Sequence, residues 1–210
     1  MLTVHHLGIS QSERIVWLCE ELSIPYELQV YERDAVTRLA PPEYKALHPF
    51  GTAPVITDGK VVLSESGAII EYIIERYGKG RLAVRPDAPN YADYLFWFHF
   101  ANGSMMPVQF ACAIKPSPDE TPRTRIARER CERTWKMVEQ RLGEAPYFAG
   151  TEFTAADIIM LFPLTTMRAF VPRDISGYPN VLGYLQRIGA RPAYRRAMQK
   201  GDPQMTPLLT

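Results

Sequence analysis

The sequence predicts two parts, an α/β domain followed by an all-helical one, and three observations carry that prediction. Charge divides unevenly. Seven bases and 11 acids lie up to Gly80, against 17 bases and 12 acids beyond it, so the net charge runs from −4 to +5. Texture changes at the same place, from short alternating segments mixed with helical ones to a stretch with almost no strand pattern. Between them, Gly78 to Pro89 (GKGRLAVRPDAP) spaces its glycines and prolines as a linker does. We therefore expect a first domain over 1–80, a linker over 81–89 and a helical domain over 90–210.

Within the first domain, Leu2 to Leu7 is short and apolar enough for a strand. Ser10 and Ser12 then offer N-cap oxygens, and Ile15, Leu18, Cys19 and Leu22 follow at the i, i+3, i+4, i+7 spacing of one helix face. Pro25 stops that helix, and Tyr26, Leu28 and Val30 alternate with Glu27, Gln29 and Tyr31 to begin a second strand. APPEYKALHPFG suits a short helix with proline at entry and exit. Val55-Ile56 and Val61-Val62-Leu63 flank Thr57-Asp58-Gly59-Lys60, a hairpin with Asp-Gly at its tip. Ile70, Ile73, Ile74 and Tyr77 mark a third helix, which Gly78 is placed to cap. The order β-α-β-α-β-β-α joins a parallel βαβ unit to an antiparallel hairpin in one mixed four-stranded sheet.

The second half reads as helices. A long one is expected from Asn90 to Ile114, kinked at Pro107. The loop KPSPDETP separates it from a helix with Ala127, Cys131, Trp135, Val138 and Leu142 on one face. The opposite face carries Arg125, Arg128, Glu129, Glu132, Arg133 and Lys136. There Glu129 with Arg133 and Glu132 with Lys136 read as i,i+4 pairs on a solvated face rather than as a nucleic-acid stripe. Thr154 and Asp157 form a capping box that opens a helix over 155–170, and shorter helices near 180–188 and 193–200 finish the chain.

Composition removes several function classes. The 210 residues are 46% hydrophobic and 22% charged, ordinary for a globular protein. Bases number 24 against 23 acids, and a net charge of +1 gives no overall field to capture nucleic acid or an anionic membrane. Cys19, Cys112 and Cys131 are widely spaced with no C-x-x-C, and MLTVHHLGISQSER has no basic region leading an apolar core. A reduced, cytoplasmic protein is expected. Residues 94–114 contain no Asp, Glu, Lys or Arg, yet His99, Asn102, Gly103, Ser104, Pro107 and Gln109 load them with polar groups. That reads as a buried helix, not a membrane span. Adjacent His5 and His6 on a strand face opposite ways, so no metal site is expected. The phosphate-loop, dinucleotide, zinc-protease and serine-hydrolase motifs are absent from the sequence.

Three features point to chemistry. In Thr52-Ala53-Pro54-Val55-Ile56 a proline heads a strand, where its missing N–H does no harm. A cis bond there would turn the Ala53 backbone toward a ligand, although the residues alone favour a trans proline in a loop. In Ser64-Glu65-Ser66-Gly67-Ala68-Ile69-Ile70 a strand runs directly into a helix, whose free N–H groups make a seat for a carboxylate. Glu65 beside it suits an ammonium group, so the pair fits an amino-acid head group; simple capping by Ser64 or Ser66 remains the alternative. In Ser10-Gln11-Ser12-Glu13-Arg14 a hydroxyl stands at a helix N-terminus, placed to donate to an anion such as a thiolate. No histidine is placed by the sequence to make Ser10 a nucleophile.

Together with F-T-A-A-D-I in the helical half, these motifs resemble, in order and along essentially the whole chain, the soluble glutathione transferases. S-x-x-x-R looks like the serine-type classes, and SERIVWLCEELSIPYE with YERD and APPE is similar to a bacterial group related to a fungal glutathione transferase. The resemblance implies a thioredoxin-like domain, a helical domain and a homodimer. It implies a cytoplasmic transferase serving detoxification, which joins the glutathione thiolate to small hydrophobic electrophiles. Glutathione is then the co-substrate, with no other cofactor. Ser10 matches the residue that activates the sulfur, Ala53 the residue whose backbone pairs with the cysteinyl part before a cis Pro54, and Glu65 and Ser66 the γ-glutamyl contacts. Lys45 and Thr52 fall where related classes meet the glycyl end or main chain. Phe50 resembles an aromatic key that enters the partner subunit, and Asp157 a buried acid that caps a core helix. Phe98, His99, Asn102 and Met106 are the expected electrophile-pocket residues. Gly51 stands where theta-like members often carry a histidine. The alternatives are a non-catalytic glutathione-binding or dimerisation module of this fold, or a glutathione-dependent peroxidase, isomerase or dehalogenase.

Overall fold

The first strand is central, paired along both edges and almost wholly buried. In the computed structural model, which describes residues 1–113 and 120–210, β1 (Leu2–Leu7) pairs parallel with β2 (Glu27–Tyr31) and antiparallel with β3 (Val55–Asp58). β4 (Val61–Ser64) adds antiparallel to β3, giving the mixed order β2-β1-β3-β4. The crossover from β1 to β2 is α1 (Glu13–Leu22), which buries Ile15, Leu18, Cys19 and Leu22 as their spacing predicts. α2 (Pro42–Lys45) is a single turn that buries Tyr44, and α3 (Ser66–Arg76) buries Ile69, Ile70, Ile73 and Ile74. The hairpin tip shifts by one residue from the expected Asp-Gly. Asp58 stays in the ladder opposite Val61, and Gly59, at φ +60°, takes the first turn position with Lys60 behind it.

Two compact units result, Met1–Ala83 with Ala190–Pro207, and Val84–Gly189 with Leu208–Thr210. The last helix, α9 (Pro192–Gly201), therefore departs from the expected 90–210 grouping. Charge complementarity is the reason. Glu20 near the end of α1 accepts from Arg196 at 2.9 Å and from Lys200, while both oxygens of Glu21 accept from Arg191 at 2.7 and 2.9 Å. Trp17 meets Tyr194 edge-on with ring centres 5.2 Å apart.

The second unit begins with α4 (Tyr91–Phe100) and α5 (Met106–Cys112). A π-helical turn over Ala101–Met105 divides the expected single helix just before Pro107, and that wider turn accommodates the N–H that proline lacks. Ile114 and most of the expected loop, Lys115 to Asp119, lie outside the described residues. α6 (Pro122–Glu144) buries Cys131, Trp135, Val138 and Leu142. Its solvated face departs from the expected i,i+4 pattern at Glu132, which takes a two-point bond from Arg173 at 2.9 and 3.1 Å. Arg173 also lies over the Trp135 ring, 4.9 Å from its centre. Buried Gln109 accounts for part of the polar load of the charge-free stretch, donating to Pro163 O at 2.9 Å and accepting from Trp135 Nε1 at 3.0 Å. Among the described residues no helix is long and apolar enough to cross a membrane.

Cys112 and Cys131 form a disulfide, their Cα atoms 5.6 Å apart, whereas the sequence suggested free thiols throughout. The side-by-side packing of α5 and α6 brings these two positions together; Cys19 stays a buried free thiol.

α7 (Ala155–Leu164) opens on the expected capping box. Asp157 is fully buried; one oxygen accepts Phe148 N–H at 3.0 Å and the other Thr154 N–H at 2.9 Å. The helix ends at Leu164, short of the expected 170, and a 3₁₀ turn over Thr166–Ala169 follows before α8 (Pro179–Gly189). Burial pushes the Asp157 carboxyl up to about 6, against the opposing pull of the two N–H groups. A raised folded-state value means that the protonated form is favoured in the native state. Its contribution is fully present below about pH 4 and is lost as the pH rises through about 6. Urea unfolding of the parent and Asp157→Asn at a series of pH values should therefore give a stability difference that shrinks by ~3 kcal/mol over that window. A difference independent of pH would contradict this account.

Candidate functional site

Antiparallel register assembles the candidate site at one end of the sheet. His5 near the end of β1 lies opposite Val55 at the start of β3, which in turn lies opposite Ser64 at the end of β4. The segments after β1, before β3 and after β4 thus converge, and these are the three motifs singled out in the sequence. The Ala53–Pro54 peptide bond is cis, and Ser64 Oγ donates to Pro54 O at 3.1 Å.

The turn from β1 into α1 is unusual. Ile9, a β-branched residue, sits at φ +52°, in the region that glycine and asparagine tolerate best. Its N–H donates to Asp202 Oδ1 at 2.8 Å, and Arg33 donates to Ile9 O at 3.1 Å and to Gly8 O at 2.8 Å. Ser10 follows, 5% exposed, its Oγ accepting Ser12 N–H at 3.2 Å and lying 2.7 Å from Ser12 Oγ. Ser12 occupies the N-cap position of α1 but makes no side-chain cap, contrary to the sequence reading. Its hydroxyl turns back to β1, accepting Leu7 N–H at 3.1 Å and meeting His6 Nδ1 at 2.9 Å. His6 Nε2 lies 3.0 Å from Asp202 Oδ2.

One turn along α1, Arg14 is fully buried. Its Nη1 donates to Gln11 Oε1 at 2.7 Å and to Ser66 Oγ at 3.2 Å, and Ser66 donates to Gln11 Oε1 at 3.2 Å. Burial brings the guanidinium down to about 9, partly offset by Glu13, so it remains a cation at neutral pH. Ser66 is the first residue of α3, and exposed Glu65 before it adopts φ +77°. A buried cation beside a helix N-terminus, with an exposed carboxylate one residue away, makes adjacent seats for a carboxylate and an ammonium group.

Ser10, Ala53, Pro54, Glu65 and Ser66 are therefore brought to one place. Lys45 and Thr52 are exposed on the segment leading to Pro54, and the stem of Lys45 lies against Gly51, itself at φ +66°. Phe50 is 62% exposed. In the second unit, Phe98, expected in the electrophile pocket, is a buried residue in ring contact with Tyr94 and His99. Met106 packs against Phe162, Met167 and Val171. His99 is exposed, and Asn102 is half-buried in the π-helical turn. Sequence reasoning gave no role to Gln11, His6 or Asp202. For Arg14 a signal existed, a base in the midst of a buried helix turn.

The family model described as the glutathione S-transferase N-terminal domain matches residues 10–76, and that for the C-terminal domain matches residues 102–192. Glutathione S-transferase 3 of Schizosaccharomyces pombe is 33% identical over an alignment that covers 100% of this chain and 92% of the relative. Glutathione S-transferase 1 of Saccharomyces cerevisiae is 28% identical, with 95% of each covered. The crystal structure of a glutathione S-transferase from Actinobacillus pleuropneumoniae superposes with a TM-score of 0.86 at 32% identity, covering 100% of this chain and 99% of that one.

Arg14→Lys should lower stability by about 1–3 kcal/mol in urea unfolding, because an ammonium is more strongly hydrated than a guanidinium and costs more to bury where Arg14 Nη1 now serves Gln11 and Ser66. An unchanged unfolding midpoint would contradict the geometry described for this cluster.

Proposed function

Because the chain belongs to the glutathione S-transferase family, we propose that Ser10 holds the glutathione sulfur as a thiolate while Glu65 and Ser66 hold the γ-glutamyl head group. The observation that carries this reading is the convergence of a buried Ser10 hydroxyl, at the start of α1, with the Arg14–Ser66 cluster at the start of α3. The enzyme transfers glutathione. The thiolate attacks the electrophilic centre, a carbon–sulfur bond forms, and the leaving group departs with its electron pair. Ser10 donates a hydrogen bond to the sulfur and the positive end of α1 adds to it, so the thiolate persists at neutral pH.

Arg14, through Ser66, gives the head-group carboxylate a positive seat; Glu65 pairs with the ammonium. The Ala53 backbone, before the cis Pro54, takes the cysteinyl part, and Lys45 and Thr52 take the glycyl end. Glutathione is the co-substrate, and the scheme uses no metal or resident cofactor. For a small hydrophobic electrophile we assign His99 and Asn102, since Phe98 and Met106 are occupied in packing. A homodimer is supported by the exposure of Phe50, a large aromatic side chain. The reading also places the enzyme in the cytoplasm, in detoxification; the Cys112–Cys131 disulfide weighs against a fully reducing setting.

Steady-state kinetics with a chromogenic electrophile tests the assignment. Ser10→Ala should lower kcat by about 100-fold while glutathione affinity stays within about threefold. Glu65→Gln should raise the glutathione Kd by about tenfold and leave kcat nearly as it was. Equal turnover in parent and Ser10→Ala would remove Ser10 from the chemistry. Tight glutathione binding without turnover for any electrophile would make the protein a binding module.

A further inference from the structure

Ser10 has one hydroxyl hydrogen, and a buried chain of four side chains determines where it points. Ser10, Ser12, His6 and Asp202 are 5%, 0%, 0% and 7% exposed, so their polar atoms must satisfy one another. Asp202 is fixed at both oxygens, Oδ1 by Ile9 N–H at 2.8 Å and Oδ2 by His6 Nε2 at 3.0 Å. A carboxylate at that distance obliges Nε2 to carry a hydrogen. The close approach depends on Gly201. A Cβ there would stand 3.0 Å from His6 Nε2, tighter than almost any real contact.

The two protonation states of His6 then give opposite chains. When the ring is neutral, Nδ1 is a lone pair 2.9 Å from Ser12 Oγ, and Ser12 donates to it. The competing donation from Ser12 to Leu7 O, at 3.3 Å, would leave two lone pairs facing each other. Ser12 has spent its only hydrogen, so the 2.7 Å contact is a donation from Ser10 to Ser12, and the Ser10 hydrogen is turned inward. When the ring is an imidazolium, Nδ1–H donates to Ser12, Ser12 donates to Ser10, and the Ser10 hydrogen is released outward. One proton on His6 reverses the chain.

We propose that His6 and Asp202 are positioning residues which, acting through Ser12, decide whether Ser10 can donate its hydrogen to the bound sulfur. The proposal rests on the reading of Ser10 as the residue at the sulfur. The other charged and titratable groups around the chain are Arg33, after β2, Tyr194 on α9 and Glu13 on α1. Arg33 and Tyr194 both feel the Asp202 charge, and Glu13 acts on Tyr194 and Arg14.

The test is the pH profile of kcat/KM with an electrophile that has no ionisable group. The parent should show two limbs, a rise as the thiol ionises and a fall of at least about tenfold at higher pH, as His6 loses its proton and Ser10 turns inward. Nitrogen NMR of the His6 ring should titrate at the midpoint of the falling limb. Asp202→Asn should abolish that limb. Ile9 N–H holds the amide oxygen, the amide nitrogen then donates to His6 Nε2, and neutral His6 carries its hydrogen on Nδ1 at every pH. Ser12→Ala should abolish the limb as well, because Ser10 no longer has an inner acceptor. A structural role alone would lower the whole profile and keep its shape. If Ser10→Ala matches the parent, the reading of Ser10 fails. If Ser10→Ala is impaired but the parent has no falling limb, or both variants keep it, the positioning chain fails while Ser10 stands.

Discussion

Asp202 fixes the turn on which the site is built. The chain leaves β1 through Ile9 in a left-handed conformation, which costs about 1–3 kcal/mol for a β-branched residue. Left to itself that turn would relax and carry Ser10 elsewhere. Asp202 takes the Ile9 N–H, Arg33 takes the two carbonyls around it, and the conformation is held. Asp202 reaches this position because α9 packs on α1, through Trp17 against Tyr194 and through the Glu20 and Glu21 ion pairs. Each such pair contributes modestly by itself. Together with the apolar contact they specify where the helix ends, and the helix end is where the carboxylate is needed.

The two units use buried charge differently. In the second, Asp157 joins the Phe148 backbone to the start of α7; its oxygens face N–H groups of its own unit, and its work is structural. In the first, Arg14 is buried at the start of a helix, bonded to Gln11 and Ser66 and with the Glu13 carboxylate offsetting part of its desolvation.

Much of this was legible in the sequence. A short apolar run gave β1, 3.6-residue patterns gave α1 and α3 within a residue or two, and Thr154 with Asp157 gave the start of α7. Ser10, Glu65 and Ser66 could be found because each stands where a strand runs into a helix. What escaped depends on distance along the chain. His6 looked like one of two neighbours on opposite faces, and its partner lies 196 residues away. The acids of α1 and the bases of α9 carry no local sign that they meet. Cys112 and Cys131 were read as unrelated because their pairing depends on how α5 lies against α6. Pro107 suggested a kink, but only the backbone shows that a wider turn before it absorbs the break.

The central claim is that this fold turns a bound thiol into a thiolate, and the most direct measurement is the ultraviolet absorbance of glutathione saturating the parent enzyme, followed against pH. The account requires the bound thiol to titrate well below about 8.5, the value of a free cysteine thiol. Glutathione that binds fully yet titrates as it does in water would contradict it.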